Sequence, residues 1–282
     1  GTLRAPWRLL LFIIAFIAAS LLFGALISPI LVGAFDTLGL RGQTVASVVQ
    51  MLAALCATWF TLRYVDRKPL REVGLHSEAS HPRQFGRGFL IGSVAIAIPI
   101  GLLVLIGWLD RAPGTTTEWG GPILRITMLL LPAALAEELV TRGYLLTVFR
   151  DALGWRWAVL ITSLLFGLAH LQNPGASAQS VAVVALAGVF LATVRITTDS
   201  LYAAWAAHFA WNWVMVALFH TPVSGLAFEL PDYRYVDAGP DWATGGSWGP
   251  ESGVPAGLAM LIGTGFLLLR LKRGPSSRRS SG

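Results

Sequence analysis

Apolar residues along this chain form eight long runs separated by short polar connections. A helix needs about 20 mostly apolar residues to cross the hydrocarbon core of a bilayer, and most of the runs reach that length. The runs are 9–32, 44–62, 88–109, 121–148, 157–171, 176–194, 201–220 and 254–269. The pattern predicts an all-α, polytopic membrane protein with about eight transmembrane helices.

Composition strengthens this interpretation. Apolar residues make up 55% of the 282 residues and charged residues 13%, about half the charged share of a soluble domain. These proportions exclude a disordered chain, a collagen-like chain and an ordinary soluble enzyme. Cys56 is the single cysteine, which excludes an internal disulfide framework and a cysteine-based zinc cluster. We therefore expect a lipid bilayer around the chain and no nucleic-acid partner, despite the net charge of +6.

The positions of the basic residues predict the orientation. If the N-terminus is cytoplasmic and the eight runs alternate, 17 of the 21 Lys and Arg residues fall on the cytoplasmic side. An excess of Lys and Arg marks cytoplasmic loops, so both termini are expected in the cytoplasm. The first run is longer than the apolar core of a typical signal peptide, and we expect it to be a membrane helix.

A single transmembrane domain is expected over residues 1–273, followed by a disordered cytoplasmic tail at 274–282. The segment 221–253 is expected to be an external loop, and a solvated connection is favoured over one that lies on the membrane surface. It is acidic, with one arginine, Arg234, against Glu229, Asp232, Asp237, Asp241 and Glu251.

Ionisable residues at membrane depth are costly and usually functional. Those within the runs, with one polar companion, are Glu137, Glu138, Arg142, His170, His208 and Asn212. Glu138 and Arg142 are four residues apart on one helix face, in the order that favours an ion pair. Glu137 points about 100° away and has Thr141, not a cation, at i+4. Glu137 is thus the carboxylate left for chemistry.

His208 and Asn212 are also four residues apart and share a face, whereas His170 lies near the end of its run. Glu137, His170 and His208 are expected roughly 16, 20 and 10 Å from the cytoplasmic edge, at about 1.5 Å per residue. Side chains at these depths can share one site inside the membrane.

Two chemistries fit this set. In the first, the carboxylate and a histidine activate water, and the other histidine and the amide stabilise the oxyanion. In the second, Glu137, His170 and His208 hold a zinc ion with one open position. A His-Glu-x-x-His helix, the usual local zinc signature, is absent from the sequence. A transporter or proton channel that uses the buried Glu and His residues is a third, less favoured interpretation.

Three motifs in this order resemble the CAAX-protease and bacteriocin-processing family of intramembrane proteases. They are Glu-Glu-x-x-x-Arg (Glu137, Glu138, Arg142), Phe-x-x-x-His (Phe166, His170) and His-x-x-x-Asn (His208, Asn212). The resemblance covers residues 121–217, with a protease core at about 121–220. It implies a fold of eight helices around a conical cavity that opens to the cytosol and the lipid.

The resemblance also implies roles by position. Glu137 corresponds to the glutamate that activates water, with His170 as its partner. His208 and Asn212 correspond to the oxyanion-binding pair, and Glu138 and Arg142 to a supporting pair. The expected activity is hydrolysis of a peptide or protein substrate that is membrane-associated, without a required cofactor in the favoured mechanism. A non-proteolytic scaffold or bacteriocin-immunity protein of the same fold is the alternative.

Overall fold

The computed structural model describes residues 3–36, 42–114, 118–228 and 230–273. Helices dominate this part of the chain, and one pair of short strands accompanies them. The α-helices are α1 Ala5–Leu26, α2 Ser28–Asp36, α3 Gly42–Phe60, α4 Pro82–Leu105, α5 Gly120–Glu138, α6 Leu146–Leu153, α7 Trp155–Ala169, α8 Ala178–Thr198, α9 Leu201–Trp213, α10 Asp241–Thr244 and α11 Val254–Arg273. π-Helical turns lie at Thr61–Asp66, Leu139–Leu145 and Val214–Leu218, and 3-10 turns at Leu70–Val73, Gly246–Trp248 and Pro250–Ser252. Strands β1 (Leu109–Pro113) and β2 (Tyr233–Asp237) pair antiparallel.

The chain is an all-α polytopic membrane protein, as the sequence predicts. Within the described ranges, five helices are long and apolar enough to cross a bilayer. They are Ala5–Leu26, Gly42–Asp66, Pro82–Leu105, Ala178–Thr198 and Val254–Lys272. Large apolar side chains on their outer faces are exposed, as lipid-facing residues are: Leu105 is 82% exposed and Ile262 72%. The total of eight crossings stays a prediction.

Contacts between distant connections divide the helix bundle into two ends. At the first, Arg8 of α1 makes a bidentate ion pair with Asp66 (2.7 Å) and also contacts Asp151 (3.1 Å). The hydroxyl of Thr147 and the guanidinium of Arg195 both donate to the backbone carbonyl of Glu72, at 3.2 and 3.4 Å. We call this the basic end; it comprises the start of α1 and segments 61–81, 147–156 and 195–200.

The opposite end carries the β1–β2 pair, the turn at 170–177 and the described part of 219–253, and we call it the loop end. The Asn173 side chain donates to the Ser224 carbonyl there (3.2 Å), and Gln179 donates to the Ser252 carbonyl (2.9 Å). From residue 61 onward, the described connections at 61–81, 109–113, 147–156, 170–177, 195–200 and 219–253 therefore alternate between the two ends, in the order that the charge pattern assumes. The cytoplasmic location of the basic end stays a prediction.

The expectation of a solvated connection at 221–253 is wrong for residues 248–253, which are all buried, whereas Asp232, Asp237 and Asp241 are exposed. Trp248 is 1% exposed, and Glu251 is buried under the loop end. The Glu251 carboxylate accepts hydrogen bonds from the Ser224 N–H and hydroxyl and from the indoles of Trp211 and Trp248, at 2.6–3.2 Å. A buried carboxylate needs such partners, and they hold the segment against α9. Glu229 and the predicted tail at 274–282 lie outside the described residues.

Helices α4 and α9 approach each other closely through two glycines. A Cβ atom added at Gly88 or Gly92 would collide with the backbone carbonyl of Ala203 or Ala207. Such small residues one turn apart let membrane helices pack backbone to backbone. This contact, with the Ser200 hydroxyl that accepts the Ala203 N–H at the start of α9 (3.2 Å), fixes the helix that carries the last motif.

Candidate active site

The two adjacent glutamates form the last turn of α5, directly before the π-helical turn Leu139–Leu145. Glu138 is completely buried and Arg142 is 1% exposed. Arg142 Nη1 donates to Glu138 Oε1 at 3.0 Å, which is the ion pair that the spacing predicts. The Arg142 guanidinium also lies 4.0 Å above the Phe166 ring, so a cation–π contact supports the buried charge.

Glu138 has a second partner that the spacing does not reveal. His208 Nδ1 lies 2.9 Å from Glu138 Oε1, and His208 is 7% exposed. An ionised carboxylate can only accept a hydrogen bond, so Nδ1 is the donor. Glu138 thus joins α5, the following π-helical turn and α9 through one oxygen atom shared by Arg142 and His208.

The environment of Glu137 differs from that of Glu138 in exposure and in hydrogen bonding. Its side chain is 42% exposed, and its nearest charged neighbour is His208, with Nε2 3.9 Å from Oε2. That distance is too long for a hydrogen bond, and Oε2 is buried without a hydrogen-bond partner among the described residues. The Thr141 hydroxyl donates to the Glu137 backbone carbonyl (2.6 Å), which leaves the carboxylate available.

His170 follows the last residue of α7 as its C-cap, and its Nδ1 donates to the Phe166 carbonyl at 2.8 Å. A carbonyl oxygen can only accept, so a neutral His170 keeps Nε2 as an acceptor. The Phe166 ring lies between the two histidines, with centroids 4.8 Å from His170 and 5.9 Å from His208, both edge to face. Phe166 therefore spaces the histidines and also covers Arg142.

A cavity of about 610 Å³ brings the candidate residues together. Glu137, His170, His208 and Asn212 all line it. Asn212 is partly buried, and its side chain has no hydrogen-bond partner within the described ranges. Glu138 and Arg142 do not line the cavity and lie behind its wall. The structure therefore separates four cavity-facing groups from the two residues expected to support them.

Sequence reasoning misses two features of this cavity. Glu251 lines it together with Trp211, although Glu251 looks in sequence like the other acids of its segment. Gln43, Ser47 and Gln50 line the opposite wall from α3. Their i, i+4, i+7 spacing is the available signal, because it places three polar side chains on one face of an apolar helix.

The arrangement does not fit a preformed zinc site. No group of three or more His, Cys, Asp or Glu side chains among the described residues is placed to hold a metal ion. Nδ1 of both His170 and His208 donates to a protein oxygen, an arrangement that is also found in metal-ligating histidines, so the case against a preformed site rests on the spacing of the groups.

Comparison with known proteins gives one match. Residues 119–214, about a third of the chain, match the family model described as "Rce1-like: Type II CAAX prenyl endopeptidase Rce1-like". This range contains all three motifs and nearly coincides with the segment 121–217 that carries the resemblance. No curated protein sequence and no solved structure matches the chain.

Proposed function

We propose that the chain is an intramembrane protease that uses a glutamate-activated water. The match of residues 119–214 to the family model of Rce1-like, type II CAAX prenyl endopeptidases supports a CAAX-protease-like membrane endopeptidase. The observation that carries the proposal is the contrast at the end of α5. Glu138 is buried and paired with Arg142 and His208, whereas the Glu137 carboxylate faces the cavity with no hydrogen-bond partner among the described residues and with His208 Nε2 3.9 Å away. An available carboxylate beside a cavity is suited to act as a general base.

Glu137 and His170 position the water. Glu137 accepts one proton from it, and the free Nε2 of His170 accepts a hydrogen bond from its other O–H. The Phe166 carbonyl supports this role, because it holds the His170 proton on Nδ1. The activated oxygen then attacks the peptide carbonyl carbon as its proton passes to Glu137.

His208 and Asn212 stabilise the resulting oxyanion. The Asn212 amide donates directly, since its side chain is not otherwise engaged. His208 Nδ1 is committed to Glu138, so Nε2 can donate only when the ring carries a second proton. The buried Glu138 carboxylate favours that charged ring. Two carboxylates, the Arg142 guanidinium and a protonated His208 then sum to zero charge.

Collapse of the tetrahedral intermediate completes the hydrolysis. The carbon–nitrogen bond breaks, and Glu137 returns its proton to the departing amine nitrogen. The products are a new carboxylate and a new amine, and Glu137 is again ionised. This cycle needs only water and the peptide, with no cofactor.

The chain purified in detergent, incubated with a library of apolar fluorogenic peptides, tests the proposal. We expect peptide cleavage that persists in the presence of a strong chelator and in protein without stoichiometric metal. Loss of cleavage on chelation, with metal present in the wild type and absent from His208→Ala, would support the zinc alternative. A folded wild-type protein that cleaves no peptide, and a cellular phenotype that survives Glu137→Ala, would favour the non-proteolytic scaffold.

A further inference from the structure

Helix α3 presents a polar stripe to the cavity, on the wall opposite the candidate catalytic groups. The stripe consists of Gln43, Ala46, Ser47 and Gln50, all of which line the cavity. Their i, i+3, i+4, i+7 spacing places them on one face of the helix over two turns. Gln43 and Gln50 are exposed, and neither carboxamide has a hydrogen-bond partner among the described residues. The stripe therefore offers two unpaired carboxamides to a ligand in the cavity.

The setting of Gln50 favours a binding role over a role in helix packing. Gln50 lies within Gly42–Asp66, one of the segments long and apolar enough to cross a bilayer. Polar side chains at membrane depth are costly, and those that join helices hydrogen-bond to a neighbouring helix. Gln50 makes no such bond within the part of the chain that the structure describes. Its carboxamide is therefore available to a molecule that enters the cavity.

The residues of the stripe suit the backbone of a peptide. A carboxamide has two donor hydrogens and an acceptor oxygen, so each glutamine can pair with both the N–H and the C=O of a bound chain. Ala46 and Ser47, which separate the glutamines, are short, and the Ser47 hydroxyl donates within its own helix to the Thr44 carbonyl at 2.8 Å. A peptide backbone can thus lie close to α3. In a membrane it needs such partners, because lipid satisfies none of its polar groups.

The packing of α3 on α5 places the stripe relative to Glu137. Ala54, one turn after Gln50, packs in one apolar cluster with Ala136 and Leu139, which flank the two glutamates of α5. Ala54 thus marks the level of Glu137 on α3. At about 1.5 Å per residue, Gln50 lies about 6 Å and Gln43 about 16 Å from that level. Both glutamines lie on the same side of it, toward the start of α3.

These distances convert into positions along a bound peptide. An extended chain advances about 3.3 Å per residue. Gln50 would then meet a peptide about two residues from the bond that faces Glu137, and Gln43 would meet it about five residues from that bond. The two contacts are separated by about three residues and lie on one side of the bond.

We propose that Gln43 and Gln50 form a substrate subsite that binds the backbone of an extended, apolar peptide on one side of the scissile bond. The subsite recognises N–H and C=O groups rather than particular side chains. It should therefore exclude proline, which has no N–H, at the two contacted positions. The position of the scissile bond rests on the proposed proteolysis, whereas binding of the peptide to the stripe does not depend on cleavage.

Peptide binding to the full chain in detergent tests the subsite. The Glu137→Gln background prevents turnover, and fluorescence anisotropy measures Kd for fluorescein-labelled eight-residue peptides of Ala, Leu and Val. The tightest binder is then N-methylated at one backbone N–H at a time. Gln43→Leu and Gln50→Leu are added singly to this background, and Gln50→Ala repeats the test with a smaller side chain. Gln84→Leu is the matched control, because Gln84 does not line the cavity.

We expect N-methylation to weaken binding at two positions about three residues apart, by about 2- to 10-fold each, as for the loss of one hydrogen bond. Gln50→Leu should abolish the loss at one position and Gln43→Leu the loss at the other, whereas Gln84→Leu should change neither. A general effect on the fold would not respond to one methylated position alone. An unchanged methylation profile in Gln50→Leu and Gln50→Ala, or a folded chain that binds none of the peptides, would overturn the subsite.

Cleavage by the wild-type chain separates this proposal from the proposed function. Mass spectrometry of the products locates the scissile bond, and both sensitive N–H groups should lie on one side of it. Sensitive positions on both sides of the bond would overturn the one-sided subsite. The expected binding profile without cleavage contradicts the protease and leaves the subsite standing. Cleavage with the same methylation profile in all glutamine variants contradicts the subsite and leaves the protease standing.

Discussion

The two sides of the α5 terminus differ in whether their charged groups are paired and buried or face the cavity. On the packed side, Glu138 shares one oxygen with Arg142 at 3.0 Å and His208 at 2.9 Å, and all three residues are buried; Glu138 Oε2 and Arg142 Nη2 have no further hydrogen-bond partner among the described residues. On the cavity side, the carboxylate of Glu137 and the amide of Asn212 have no hydrogen-bond partner in the described part of the chain. Adjacent residues of the same type thus have opposite environments.

This difference separates stability from chemistry. The Glu137 carboxylate and the Asn212 amide face the cavity and can therefore bind a ligand or a transition state there, whereas Glu138 and Arg142 cannot. The paired groups behind the wall hold the geometry of the unpaired ones. Substitutions on the cavity side should therefore change turnover with little effect on folding, and substitutions on the packed side should do the reverse or change both.

Loss of the cavity-facing carboxylate should have the largest effect. Glu137→Gln keeps the size of the side chain but removes the base, and we expect kcat/KM to fall by at least about 10²–10⁴-fold with an unchanged melting temperature. Glu78→Gln, at an exposed position of the basic end, is the matched control and should keep wild-type turnover. Wild-type cleavage by Glu137→Gln would contradict the assignment of the base.

Loss of the cavity-facing amide of Asn212 should have the second largest effect on turnover. Asn212→Ala is expected to lower kcat by about 10²–10³-fold, as for other oxyanion donors, with little change in KM or melting temperature. Asn212→Asp is nearly isosteric but removes the donor and adds negative charge, so it should be at least as impaired as Asn212→Ala. Normal kcat per folded molecule in either variant would remove Asn212 from the oxyanion role.

The sequence predicts what is local to one helix and misses what depends on lateral packing. The Glu138–Arg142 pair follows from i, i+4 geometry and is present in the structure. The bond from His208 to Glu138 requires the position of α9 beside α5, which close packing on Gly88 and Gly92 of α4 helps to set. Periodicity along one helix contains no information on that position.

The loop segment shows the same limit. Its acidic residues and glycines look like a solvated connection, because composition cannot distinguish the buried Glu251 from its exposed neighbours. Burial of Glu251 depends on donors from Trp211, Ser224 and Trp248, and the first two lie 40 and 27 residues away in the chain. Only the folded structure brings these donors together.

A substitution on the packed side provides the third test of the contrast. Glu138→Ala leaves the Arg142 charge buried without its carboxylate and removes the partner of His208 Nδ1. Breaking a buried pair in this way costs about 3–5 kcal/mol, which should appear as a lower melting temperature in detergent. Glu137→Ala is the matched variant and should change the melting temperature far less. If the two alanine variants melt alike, the division between the two sides is wrong.

The smallest effect is expected at Asp151, a paired carboxylate of the basic end and far from the cavity. Burial alone would raise the pKa of Asp151, but hydrogen bonds from Lys68, Arg150 and Arg8 outweigh it and lower the pKa below its ordinary value. A carboxyl group with a depressed pKa in the folded state stabilises the protein above its ordinary pKa of about 4, and this contribution is lost as the pH falls through the folded-state value.

Asp151→Asn should therefore be less stable than the wild type by about 1 kcal/mol or less, as is typical of partly exposed ion pairs, between pH 5 and 8. The difference should shrink below about pH 4, while kcat/KM above pH 5 stays at the wild-type value. A stability difference that persists unchanged at low pH would show that Asp151 acts through packing, and a fall in kcat/KM would connect the basic end to the chemistry of the cavity.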